Sequence, residues 1–251
     1  MKAGIRSHQL ILPSVVCSTH VSRRIAQEVG GVTFAHQHGC AIIGVDVAGI
    51  DNFFIDLASH PNVASVLVVA LGCETIQGNE LAEKIVTRNP ATKYLVIQES
   101  AGVDDAVSKG VVAANSLASR FPEPRHAEDP IVVGISSQGN AGELVAFLQA
   151  EGLHTVESSE GFSALMSAKV HLIVSFTDSM QPPTGFPLIP VINIASDSEL
   201  HLAFSQEFDL SHDASHQEIA AKISTVARGE QTKSEANSSG EIVAPRLVRS
   251  V

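Results

Sequence analysis

The stretch HPNVASVLVVALGCE, residues 60–74, decides the fold. From Val63 to Leu71 it carries no charge, and Ser65 alone interrupts the aliphatic run. A strand with one wet face alternates apolar with polar residues. An apolar run that halts at a glycine belongs to a parallel strand buried on both faces. Two other runs end in the same way, LILPSVVC at Cys17 and VTFAHQHGC at Cys40, as this one does at Cys73. In open α/β sheets, ligands collect in the crevice outside the carboxyl ends of the strands. All three cysteines of the chain therefore fall on one predicted rim, with His36 and His38 beside the middle one.

Outward from that strand, two periods alternate. Runs at 9–17, 31–35, 63–71 and 93–98 predict strands; 20–30, 46–59, 78–89 and 103–120 predict amphipathic helices. This rhythm means βαβ units and a parallel sheet. FPEPRHAEDP, with three prolines and four charges, predicts a linker at 121–129. Beyond it, strands are expected at 130–136, 153–157, 170–176 and 188–194, and helices at 141–151, 161–168 and 214–228. The expected class is α/β, two Rossmann-like halves with parallel sheets, 1–120 and 130–228. Residues 229–251, polar and aperiodic, are expected to form a loosely ordered tail, its docking elsewhere on the protein left open.

Composition narrows the function. A chain of 251 residues is long enough for two such units. No apolar stretch approaches the roughly 20 residues that span a bilayer, and the first apolar run, broken at Pro13, lacks the form of a signal peptide. An odd number of cysteines without a signal predicts reduced thiols and a cytoplasmic location. Net charge is −11 with no basic stripe, and aromatics make up 4% without a tryptophan, so nucleic-acid binding is not expected.

The chemistry-bearing residues lie at the strand ends. His36, His38 and Cys40 are two apart, a spacing that points extended side chains to one face. Thiolate with imidazole suits Zn or Fe, not Mg or Ca; the same spacing also fits a plain strand end with a small thiol. Glu74 follows the most apolar strand, where burial would raise its pKa towards acid–base use, and Glu99 ends the neighbouring run. Arg6 and His8 precede the first strand and should lie at its other end from Cys17. GISSQGNAGE, 134–143, is a glycine-rich strand-to-helix turn that matches no phosphate-binding pattern.

RSHQLILPSVVCSTHVSRRIA, FAHQHGC, HPNVASVLVVALGCE, and IQESAG followed by VDDAVSKG together resemble the large-subunit portion of the altronate/galactarate dehydratase family. Sulfolactate sulfo-lyase large subunits are similar. The resemblance covers residues 4–120, and VARGEQTKSE, 226–235, is similar to the family's closing helix and tail. It departs in the middle. Where the family carries Cys-Gly-Gly-Ser-Asp, VVGISSQGNAG places Ser137 at the cysteine and Ala141 near the aspartate, and the stretch that follows is shortened. The resemblance implies a hydro-lyase acting on a sugar acid and dependent on Fe(II) or another divalent metal. It implies metal ligands among Cys17, His38, Cys40 and Cys73, and proton transfer by His36, His38, Glu74 or Glu99. Arg6 and His8 would hold the substrate carboxylate. It also implies a homo-oligomer or association with a small dehydratase subunit. Two alternatives stay open, a non-catalytic partner or regulatory subunit and a protein that binds a metal or small acid.

Overall fold

The structure is a computed structural model that describes residues 4–117, 129–137, 139, 141–177 and 183–245. The predicted linker, apart from Asp129, lies outside the described residues. The chain divides into two compact units. The first comprises Met1–Pro124 with Ile242–Val251, and the second Arg125–Glu241.

The first unit runs β1 (His8–Pro13), α1 (Thr19–Val29), α2 (Val45–Ala58), β2 (Val63–Ala70), α3 (Gly78–Val86), β3 (Thr92–Val96) and α4 (Val103–Asn115). Its sheet has the order β1-β2-β3, and both pairings are parallel. All eight residues of β2 are buried, as an apolar central strand requires. Side chains two apart share a face. Ile11, Leu67 and Val69 therefore face α1 and α4, packing with Val21, Ile25, Ala106, Val107 and Ala114. The other face is covered by α3, whose Gly78 abuts Ala70 and Val68. Each fully buried aliphatic side chain here is worth about 1.5–3 kcal/mol relative to leaving it exposed.

The second unit runs β4 (Val132–Ser136), α5 (Gly142–Ala150), β5 (His154–Ser158), α6 (Phe162–Ser167), β6 (Leu172–Thr177), β7 (Val191–Ala195), α7 (Ser198–Ala203), α8 (His216–Ala227) and α9 (Lys233–Ala236). Its sheet has the order β5-β4-β6-β7, again parallel throughout. The α/β class with two parallel sheets is thus as expected from the alternation of periods.

Three local details go beyond the alternation of periods, and the first corrects it. Residues 31–35 form no full strand; Val32 makes a single parallel bridge to β1, giving its N–H to Gln9 and accepting from Ile11. The chain then leaves the sheet and buries Phe34 and His36 against Phe54 of α2. The turn after Ala195 starts α7, capped by the Asp197 carboxylate on the Leu200 N–H. The described part of the tail, 229–245, takes the docking that its reading left open. Thr232 and Glu235 make a reciprocal capping box at α9, and Ser234 Oγ donates to the Val191 carbonyl at 3.1 Å. Farther on, Ile242 and Ala244 are buried in the first unit.

Candidate active site

The loops after β1 and β2 leave the carboxyl edge of the first sheet, and the segment after Phe34 is tied to both by backbone. After β1 the chain makes a 3-10 turn at Val16–Ser18, and the Val16 N–H donates to the His38 carbonyl at 2.9 Å. The Cys40 carbonyl accepts from the Thr75 N–H at 2.9 Å and from its hydroxyl at 3.1 Å. These bonds fix the loops bearing Cys17, Cys40 and Cys73 to one another.

The thiols converge as a result. Cys17 Sγ and Cys40 Sγ are 3.9 Å apart. Burial and the neighbouring Cys17 and Cys73 thiols push the Cys40 pKa up to about 11. Thiolates around one tetrahedral ion, each bonded at about 2.3 Å, would be separated by about 3.8 Å. The Cys17–Cys40 spacing fits one edge of such a site, but among the described residues no three His, Cys, Asp or Glu side chains are placed to enclose an ion as they stand. A bound cation would reverse the local preference, because ligating thiols are deprotonated.

The two histidines differ in what their rings can do. His36 Nδ1 accepts the His38 N–H at 3.0 Å, so its proton sits on Nε2. That nitrogen is buried without a partner among the described residues, and the ring lies among Phe34, Phe54 and His38. Burial, then the His38 charge, lower its pKa to about 4, so His36 stays neutral at physiological pH. His38 is also buried, but its Nε2 is 3.0 Å from the Pro245 carbonyl oxygen.

Glu74 is a brace. It accepts from Ser14 Oγ at 2.7 Å, the Leu71 N–H at 3.0 Å and the Gly72 N–H at 2.6 Å. Burial works to raise its pKa, but the Ser14 and backbone donors outweigh burial and hold it below the usual carboxylate range. The rise expected from burial alone is not found, because the loop folds its own donors onto the carboxylate. Gly72, at φ 120°, takes the backbone conformation that directs its N–H inward.

The remaining candidates separate. Glu99 is exposed in the 3-10 turn after β3, on the same rim. Arg6 and His8 lie at the amino end of β1, five residue steps from Pro13 and thus about 16 Å from the thiol rim. They do not join the thiols. In the second unit, Ser137 Oγ accepts the Gly139 N–H at 3.0 Å, closing the turn on itself.

The sequence reading missed a cavity of about 360 Å³ between α2 and α3, lined by Asp51, Thr75, Gln77, Glu80 and Lys84 among others. It reaches Thr75, the residue that holds the Cys40 carbonyl. Lys84 Nζ pairs with Asp51 Oδ2 at 2.8 Å, and Asp51 Oδ1 is buried without a hydrogen-bond partner among the described residues. These polar residues are spread over two helices and a loop, so no local motif marked them.

The strand-end segments that make this rim match a known domain model. Residues 1–121 match the model described as D-galactarate dehydratase/Altronate hydrolase, second domain. This segment, just under half of the chain, is similar to the galactarate/altronate dehydratase family. The altronate dehydratase of Bacillus subtilis (strain 168) is 25% identical over 233 residues, 88% of this chain and 41% of that protein. The altronate dehydratase of Escherichia coli (strain K12) is 29% identical over 125 residues, 45% of this chain and 25% of that protein. The chain therefore spans less than half the length of these dehydratases. Among solved structures, the E. coli RcsC C-terminus with its phosphoreceiver domain aligns over 90% of this chain and 94% of that one, at TM-score 0.29 and 12% identity. That likeness is too slight to argue from. Every thiol and histidine of the candidate site lies within the dehydratase-family segment.

Proposed function

We propose that this chain is a hydro-lyase that removes water from a sugar acid such as altronate or galactarate, with its site on the thiol rim of the first unit. The observation that carries the reading is the convergence of Cys17, Cys40 and Cys73 beside His38, inside the segment matched to the dehydratase family. The thiols of Cys17, Cys40 and Cys73 would hold Fe(II) or another divalent metal of similar softness. When bound, the ion supplies Lewis-acid polarisation of the substrate's carboxylate and 2-hydroxyl.

The chain's own groups supply the rest. Dehydration needs a base for the proton beside the carboxylate and an acid for the departing hydroxyl. His36 is unsuited to the first role because it is buried and hard to protonate. Glu74 is unsuited because its oxygens are occupied by three donors. His38 remains as the base. Glu99 is the remaining carboxylate of the rim and serves as the acid. With Arg6 and His8 at the opposite edge of the sheet, the α2–α3 cavity is the better substrate pocket, within the size range of small-molecule sites. Lys84 would take a substrate carboxylate there only by exchanging its Asp51 partner. The altronate dehydratase names of the relatives support the substrate class. Association, with a second copy or with a small dehydratase subunit, belongs to the same reading.

The test is metal analysis of anaerobically purified protein, followed by dehydration assays on altronate and galactarate with ferrous iron. The expected result is one equivalent of metal and turnover that a chelator abolishes. Cys40→Ser should weaken metal binding by more than the roughly 10–100-fold that loss of an outer-shell partner costs. Metal binding with no turnover on any aldonic or aldaric acid would move the assignment to a metal- or acid-binding protein. Neither metal nor turnover would leave the non-catalytic partner reading.

A further inference from the structure

We propose that the C-terminal segment Ile242–Pro245 is a working part of the candidate site, and that the Pro245 carbonyl is the group that positions His38. Along this segment Ile242 and Ala244 are buried, 1% and 2% exposed, while Val243 between them is 48% exposed. Every second side chain points inward, the pattern of an extended segment laid on a surface. Two anchors thus bring Pro245, 207 residues away in sequence, to 3.0 Å from His38 Nε2.

The direction of this hydrogen bond is forced. A carbonyl oxygen only accepts, so His38 Nε2 must carry the hydrogen. In the neutral ring the lone pair then lies on Nδ1, which takes no hydrogen bond from the described residues. His36 cannot substitute, because its Nδ1 lone pair is occupied by the His38 N–H. Of the two rings on this rim, the tail makes His38 the one with a committed, free acceptor. Without the tail, Nε2 would face solvent and the ring could exchange tautomers and turn. The lone pair would be on the correct atom only part of the time. The use of that lone pair as a base rests on the hydro-lyase reading; the tautomer assignment does not.

The test labels the full chain with ¹⁵N-histidine and records two-bond ¹H–¹⁵N correlations above pH 8, where ordinary imidazoles are neutral. His38 is assigned by the signals that vanish in His38→Gln. The expected pattern is a pure Nε2–H tautomer in the full chain and an averaged tautomer mixture in a chain ending after Glu241. Should the shortened chain not fold by circular dichroism, full-length Ala244→Arg lifts the segment by forcing a long charged side chain into a buried anchor position. In an active preparation either variant should lower kcat about 10–100-fold, the range for an outer-shell partner, with KM little changed. An Nδ1–H tautomer in the full chain would overturn the proposal, as would an unchanged Nε2–H pattern in both tail variants. A full chain with the expected tautomer and no dehydration would overturn the hydro-lyase reading and leave the tail's role intact.

Discussion

At the scale of single residues, the rim separates groups that sequence position treats alike. Glu74 and Glu99 both follow strands, yet one is wrapped in donors and the other is exposed. The wrapped one makes a stability prediction. Its folded pKa lies below the unfolded value, so between the two the unfolded chain binds more protons and stability rises with pH. The contribution is therefore complete above about 4.5, the ordinary glutamate value, and is lost as pH falls through the folded value. Glu74→Gln places an amide N–H₂ against one set of these donors and should cost about 1–3 kcal/mol at neutral pH. Urea denaturation from pH 7 down to pH 3 checks it. The wild-type advantage should shrink steadily towards acid, and an advantage independent of pH would contradict the brace.

At the scale of elements, β2 is the best specified piece and the approach of α3 to its end the tightest. A Cβ on Gly78 would sit 2.3 Å from Ala70 Cβ, an atom that cannot swing aside. Gly78→Ala should destabilise the first unit by about 1–3 kcal/mol, the usual cost of overpacking. Gly49, inside α2, has nothing within 4 Å of such a Cβ. Gly49→Ala should instead be stabilising by about 0.5–1 kcal/mol, the helix preference for alanine over glycine. Thermal melts of the two variants should move in opposite directions. The 31–35 segment shows where periodicity misleads: Phe34 is buried, but against an aromatic ring of α2, and only Val32 bridges to the sheet. The capping box of α9 was legible as Thr-Lys-Ser-Glu at 232–235, and the polarity of its surroundings hid it.

At the scale of the whole molecule, the residues flanking the thiols in sequence are unusually apolar for an exposed position. Val16 is 43%, Ile43 65% and Val45 63% exposed. Apolar residues left open beside a charged or metal-bearing site are the kind that another surface covers. The expected outcome of light scattering is an oligomer, and of substituting Ile43→Asp with Val45→Asp a smaller species at equal concentration. A strict monomer with full dehydratase activity would exclude any need for association. Among the described residues no helix is long and apolar enough to cross a membrane.

The sequence by itself determined the α/β class, the parallel sheets and the placing of Cys17 and Cys73 just past the ends of strands. These follow from hydrophobic periodicity, which is local and survives in the order of residues. It also carried the family resemblance, because strand-end motifs such as HQHGC and LGCE are contiguous. Tertiary structure alone decided which ring nitrogen of each histidine is free, since that depends on a backbone donor two residues away and on a carbonyl 207 residues away. It alone kept Glu74 ionised, through donors from Ser14, 60 residues away, and from its own loop. The separation of Arg6 and His8 from the thiols was already legible in the sequence, because a strand's length separates its two ends. Hydrogen-bond direction and burial are properties of neighbours in space, and no one-dimensional period records them.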